Sequence, residues 1–299
     1  MSPTLELVEA VPLATVAVTR MLESAGVRVL AVKGPAFAAL GTRGARESHD
    51  VDVLVHPDNR HKAEVALRDA GWQRVSYWFP PQVDDLVYST TLVHPTLPCP
   101  VDVHHSFPGL FAPPVEAFDR LWGRRTQVEV AHQSVPAPCL ADAFVLETVN
   151  RLGDADKEQW PAVSEEIAER ARRCGLGARE VASAADALGA GHSAAHVVTA
   201  LGGSAPTGQP PDAFLRWQGR SGRPPGPALA LAIVRRAPLS LPRVVWTQLR
   251  VSEASARLWA TSVGMPYRGR AHSLVGRLNR LVLGLARQAA ARMTHRFDE

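Results

Sequence analysis

Apolar residues recur at helical spacing from Leu5 through Val8, Val11, Leu13, Val16 and Val18 to Leu22, and Gly26 follows as a stop. The pattern then changes. Val27–Val32 is a short apolar run rich in β-branched residues, which predicts a strand. Gly34-Pro35 breaks it, and Pro35 suits the first turn of a short helix reaching about Leu40. The polar stretch GTRGARES reads as a loop leading into a second apolar strand, Val51–Val55. Pro57-Asp58 opens a helix over Asn59–Ala70 that Gly71 closes. Trp72–Phe79 and Leu86–His94 read as strands joined by a PPQVDD turn, and Pro100–Phe107 as another. A helix over Val115–Trp122 and a last strand over Thr126–Val135 complete this part. The order predicts a small mixed sheet with flanking helices, an α/β (α+β) fold.

After VPAPCLADAF the strand signals fade. Ala/Leu-rich helical patterns cover Ala141–Leu152, Trp160–Cys174, Ala178–Leu188 and His192–Leu201. Residues 202–227 are dense in Gly and Pro and read as a long loop. Helical patterns return over Ala228–Arg236, Val244–Ala260 and Ser273–His295. The expected division is a core domain over 1–138 and a mostly helical domain over 139–299.

A chain of 299 residues with 46% apolar and 21% charged residues has the material of an ordinary globular protein, and its length suggests two domains. No apolar stretch approaches the ~20 residues of a membrane span, so no membrane partner is expected. The first residues, MSPTLELVEA, carry acids and no basic segment, unlike a secretory signal. Cys99, Cys139 and Cys174 form no CxxC pair, and their odd number fits a reduced, cytoplasmic setting. Charge is uneven: residues 1–138 hold 12 basic and 15 acidic side chains, and the remainder 21 and 14. That basic excess fits solvated helix faces and would also attract phosphates or RNA. Few aromatics interleave its arginines, so a base-stacking platform for RNA is not favoured.

Only three of the 33 basic residues are lysines: Lys33, Lys62 and Lys157. Arg supplies generic positive charge in this chain. Lys33, at a strand end beside Gly34, therefore stands out as a compact point charge suited to phosphate. Gly34 lets an anion approach the main chain. Arg46 lies in the loop ahead of the second strand, where it could neutralise phosphate or pair with a surface acid. Asp50 and Asp52 open that strand, and alternation puts both carboxylates on one side. Paired carboxylates suit Mg²⁺ or Mn²⁺. Asp102 stands in a similar apolar alternation, VDVHH, and completes a three-carboxylate set if the two strands are neighbours. His104 is a candidate on the acceptor side, with a purely structural role as its competitor. The chain has no GxxxxGK[ST], no kinase HRD or DFG, no GxSxG, and no CxxC or HExxH zinc motif.

These residues together resemble a known family. KGPAFAALG, Arg46 four residues before Asp50, DVDVLV at 50–55, a helix ending in Gly71-Trp72 and VDVHHSF at 101–107 are similar to the bacterial uncharacterised nucleotidyltransferase family of the DNA-polymerase-β-like superfamily. The resemblance covers residues 27–107. It implies a nucleotidyltransferase fold followed by a helical region and Mg²⁺-dependent use of an NTP. It also implies Asp50, Asp52 and Asp102 as metal ligands and catalytic residues, with Lys33, Gly34 and Arg46 on the phosphates. Family members carry a His-containing helix after the core. Here ADAFVLETVNRL has Asn150 and no His, so acceptor recognition does not transfer.

The expected activity is transfer of an NMP from an NTP to a hydroxyl or phosphate of a small molecule or peptide, with pyrophosphate released. A tRNA- or protein-modifying transferase is the nearest alternative. A DxD glycosyltransferase would leave Asp102 and Lys33 without a role, and a non-catalytic nucleotide-binding protein would not need all three acids.

Overall fold

A computed structural model describes residues 5–44, 48–75, 79–222, 225–249, 253, 255–257, 268–276 and 278–279. The first helix, α1 (Leu7–Ser24), buries Ala10, Val11, Ala14, Thr15, Val18, Thr19 and Leu22, a single stripe at helical spacing. Leu5, Val8 and Leu13, part of the expected periodicity, are exposed. After α1 come β1 (Val29–Ala31), the short α2 (Gly34–Ala39), β2 (Val51–Val55) and α3 (Arg60–Asp69). β3 (Gln73–Arg74), β4 (Ser89–Val93), β5 (Val101–His104) and α4 (Pro114–Gly123) follow.

The five strands form one sheet in the order β1-β2-β5-β4-β3. β1 pairs with β2 antiparallel, β2 with β5 parallel, and β5 with β4 antiparallel, which confirms a mixed sheet. The register sets Asp52 beside Asp102, and Thr91 beside Asp102 on the other side. The expected strand over Trp72–Phe79 is limited to two residues, with 76–78 outside the described set. Ser89 rather than Leu86 starts β4, because Pro81–Leu86 is wound into 3-10 turns.

Where one strand was expected over Thr126–Val135, the chain makes a hairpin of β6 (Thr126–Val130) and β7 (Gln133–Ala137). Its two-residue turn, Ala131-His132, has positive φ at both positions (47° and 59°). Such turns ordinarily announce themselves by Asn or Gly, so this one carried no sequence signal. The helices α5 (Leu140–Asp154), α6 (Trp160–Arg173), α7 (Ala178–Ala187) and α8 (Gly191–Ala200) follow the expected pattern. The Gly/Pro-rich stretch after them is not all loop: α9 (Asp212–Gln218) sits inside it and buries Phe214 and Trp217.

The chain divides into two compact units, Met1–Gln73 with Tyr88–Arg223, and Arg74–Val87 with Pro224–Glu299. Within the first, one hydrophobic cluster takes Leu30, Phe37, Leu54 and Phe107 from the sheet side and Val145, Leu146, Trp160, Leu188 and Trp217 from the helices. A second cluster packs Val29, Val51, Val53, Val55, Val101 and Val103 against Val11, Val18, Leu22, Ala63 and Leu67 of α1 and α3. In the second unit, α10 (Pro225–Arg236) packs on the 3-10 segment, and α11 (Leu241–Leu249) follows. Most of the basic helix expected over Ser273–His295 lies outside the described residues. No helix among the described residues is long and apolar enough to cross a membrane.

Candidate active site

Alternation along β2 and β5 sorts their side chains. Val51, Val53, Val55, Val101 and Val103 face α1 and α3. The intervening residues, Asp52 and Leu54 on β2 and Asp102 and His104 on β5, face the other way, with Asp50 just ahead of β2. Because β2 and β5 are parallel and in register, Asp52 and Asp102 lie side by side. Ligand atoms of Asp52, Asp102 and His104 all fall within 4.8 Å of one another.

Lys33 reaches this group from the end of β1. Its ammonium lies 2.9 Å from Asp52 Oδ1, and the same oxygen accepts from His104 Nε2 at 2.8 Å. The Lys33 backbone has φ 54° and ψ −152°, a conformation that L residues other than Gly rarely adopt. Gly34 follows at φ +36°, and a Cβ there would lie 3.3 Å from Ser48 Oγ. The turn therefore needs Gly at 34, and Lys33 holds an unfavourable backbone where its side chain meets Asp52.

Asp102 Oδ1 accepts a short 2.5 Å hydrogen bond from Thr91 Oγ1. Aromatic rings wall the cluster. Tyr88 stacks on His104 at 5.8 Å between centroids, and Phe107 lies 5.5 Å from the same imidazole. The Lys33 ammonium sits 5.5 Å over the Phe107 ring. His104 Nδ1 is buried with no hydrogen-bond partner among the described residues. The bond to Asp52 requires a proton on Nε2, so the neutral tautomer leaves a bare acceptor at Nδ1 rather than an unsatisfied donor.

The electrostatics separate the carboxylates. Burial, then the charges of Asp52 and Asp102, push Asp50 up from 3.8 to about 6. Asp52 goes the other way. Burial opposes its charge, but the hydrogen bond from His104 and the Lys33 cation outweigh it and lower its pKa. Burial alone would lower Lys33, yet Asp52, followed by Asp102 and Asp50, carries it above the ordinary lysine value. The site is thus a buried patch of concentrated negative charge with one fixed ammonium. Hard, closely spaced carboxylate oxygens beside an imidazole have the chemistry of a divalent-cation site, so the residues present fit such an ion.

The structure brings Lys33, Asp52, Asp102 and His104 together, with Gly34 in the turn beside them; Asp50, just ahead of β2, is coupled to them by charge but lies outside the group whose ligand atoms fall within 4.8 Å. Arg46 falls outside the described residues. Ser48 is half-buried under Gly34, and His49 is exposed. Sequence reasoning missed Thr91, Tyr88 and Phe107. Their signal is cross-strand, through Thr91 opposite Asp102, and that depends on a pairing partner no local pattern names.

The family profile described as "Uncharacterised nucleotidyltransferase" matches residues 10–179. No curated protein sequence matches the chain. Among solved structures, the solution structure of the antibiotic-resistance factor ANT(2'')-Ia is 14% identical over 58% of this chain and 89% of its own, with a TM-score of 0.39. The lincomycin-bound lincosamide antibiotic adenylyltransferase LnuA is 18% identical over 44% and 82%, with a TM-score of 0.31. An antigenic nucleotidyltransferase-like protein from Paracoccidioides brasiliensis is 13% identical over 65% and 93%, with a TM-score of 0.39.

Proposed function

The chain belongs to the uncharacterised nucleotidyltransferase family, and we propose that it moves an NMP from an NTP to a hydroxyl or phosphate oxygen of a small molecule or peptide. The acceptor oxygen bonds to the α-phosphorus, the bond from that phosphorus to the bridging oxygen breaks, and pyrophosphate leaves with the electron pair. The observation that carries this reading is the in-register pair Asp52 and Asp102, with a lysine ammonium already seated on Asp52.

Asp50, Asp52 and Asp102 are the ligands we assign to Mg²⁺ or Mn²⁺. When bound, such an ion offsets the charge of the triphosphate and makes the acceptor hydroxyl more acidic. Asp102, the more exposed of the facing pair, takes the acceptor proton. Lys33 is the counter-ion of Asp52 at rest and a phosphate ligand when the nucleotide is bound. Gly34 keeps the main chain open to the phosphates, and Arg46 adds charge from the loop before β2. His104 holds Asp52 and borders the acceptor side. Transfers of this kind depend on positioning and electrostatics more than on covalent chemistry, so this sparse set suffices. We assign the nucleotide half to residues 1–138 and the acceptor half to the helices that follow, in a protein working in the cytoplasm.

Incubation with each α-labelled NTP, Mg²⁺ and a panel of hydroxyl-bearing acceptors tests the proposal beside Asp52→Asn. Label should move to an acceptor with the native chain and not with the variant. Transfer from nucleotide sugars alone would sink the reading, and label on RNA alone would move the acceptor class.

A further inference from the structure

Two carboxylates facing one cation are useful only if their oxygens are aimed, and a carboxylate rotates easily about its terminal torsion. In this site each of the facing pair is gripped by one oxygen. Asp52 Oδ1 takes both Lys33 Nζ and His104 Nε2. Asp102 Oδ1 takes the Thr91 hydroxyl at 2.5 Å. Among the described residues no hydrogen bond reaches Oδ2 of either acid.

The two grips differ in kind. Asp52 is nearly fully buried and held by two donors, one of them charged. Asp102 is half-buried and held by a single neutral hydroxyl. That hydroxyl belongs to the residue directly opposite it in the antiparallel β4–β5 register. Thr is β-branched and stiff at χ1 in a strand, so its hydroxyl is a fixed donor and not a wandering one. Its position in the row Thr91–Asp102–Asp52, across three adjacent strands, leaves Asp102 one orientation in which the hydrogen bond is kept.

We propose that Thr91 is a positioning residue: its hydroxyl fixes the rotation of the Asp102 carboxylate so that Oδ2 of Asp102 and Oδ2 of Asp52 are presented together to a divalent cation. Thr91 touches neither substrate nor ion and acts only through Asp102. The inference rests on the nucleotidyltransferase reading of the same three acids, and its test separates the two.

Mn²⁺ is titrated into the full chain without nucleotide, with free Mn²⁺ followed by electron paramagnetic resonance, and kcat and KM for label transfer are measured beside it. Thr91→Val keeps the shape and removes the donor, whereas Thr91→Ser keeps the donor. Outer hydrogen-bond partners of metal ligands typically carry 10- to 100-fold in affinity or activity, so Thr91→Val should lose about 10-fold in Mn²⁺ affinity. It should lose a similar factor in kcat with the acceptor KM little changed, and Thr91→Ser should stay within about threefold of the native chain. Native Mn²⁺ affinity and kcat in Thr91→Val overturn the inference, as does equal damage in the Ser and Val variants. If Thr91→Val does not fold, Thr91→Ala takes its place, and failure of both to fold makes Thr91 structural and also overturns it. A native chain that binds no Mn²⁺ at all brings down the metal reading beneath it, a result distinct from any difference among variants.

Discussion

The two faces of the β2–β5 pair are made from alternate residues of the same strands, and they obey opposite rules. On one face Val51, Val53, Val55, Val101 and Val103 are all fully buried against α1 and α3. Each is interchangeable in kind, and the face works by area and shape. On the other face Asp52, Asp102 and His104 crowd within a few ångströms, with a lysine drawn in to neutralise them. Buried charge is unfavourable unless paired, so this face stands only through its specific contacts. The apolar face supplies the stability that lets the polar face keep an arrangement it would not adopt by itself. The opposition between the two faces fails if charge on the polar face is structural, or if the apolar face matters for chemistry.

The largest effect should come from Asp52. Asp52→Asn removes the anion that Lys33 and His104 share, and transfer activity should fall on the order of a thousandfold. If the variant transfers label at more than a tenth of the native rate, the polar face is not the reaction site.

Lys33 is next. Lys33→Met should reduce turnover about a hundredfold by withdrawing a charge from the phosphates. The same change should tighten Mn²⁺ binding in the absence of nucleotide, because the ammonium, 2.9 Å from Asp52 Oδ1, offsets the negative charge that attracts the ion. The two measurements move in opposite directions. A variant that loses both Mn²⁺ affinity and turnover would make Lys33 a structural prop of the carboxylates.

Val53→Ala probes the other face. It removes buried apolar volume from a fully enclosed position, and urea denaturation should show a loss of about 2 kcal/mol. Turnover per folded molecule should be unchanged. A drop in kcat with folded protein intact would mean that the apolar face tunes the carboxylate row after all.

Much of this contrast is legible in the amino-acid sequence alone. Alternation along DVDVLV and VDVH separates Val from Asp without help, and the scarcity of lysine isolated Lys33. The pairing of β2 with β5 was inferable only as a condition, since parallel neighbours are joined through long connections and leave no local mark. For the same reason Thr91, which lies opposite Asp102 on β4, had no signal in a TTLV run. His104 looked like an acceptor-side residue, and its bond to Asp52 depends on three-dimensional proximity across β2 and β5. The Ala131-His132 turn and α9 escaped because each contradicts its local composition: a primed turn without Asn or Gly, and a helix within a Gly/Pro-rich stretch.

Asp50 gives the smallest effect and the sharpest sign. Its folded-state pKa, about 6, lies above the ordinary 3.8, so the folded protein binds a proton there that the unfolded chain has already lost. Stability from this group therefore falls as pH rises from about 4 to about 6 and stays reduced above that. The shift corresponds to at most about 3 kcal/mol, and solvent screening of a half-buried group should leave about 1 kcal/mol. Asp50→Asn should accordingly raise Tm at neutral pH in metal-free buffer, the gain should shrink as pH is lowered through 6, and activity should be lost throughout. Adding Mn²⁺ should stabilise the native chain more than the variant, which keeps Asp52 and Asp102 but lacks one of the three assigned ligands. A residue whose removal steadies the fold while ending the chemistry belongs to a face shaped for binding a cation. An Asp50→Asn variant less stable than the native chain at neutral pH would instead make Asp50 a structural acid, and the opposition between the two faces would no longer hold at the mouth of β2.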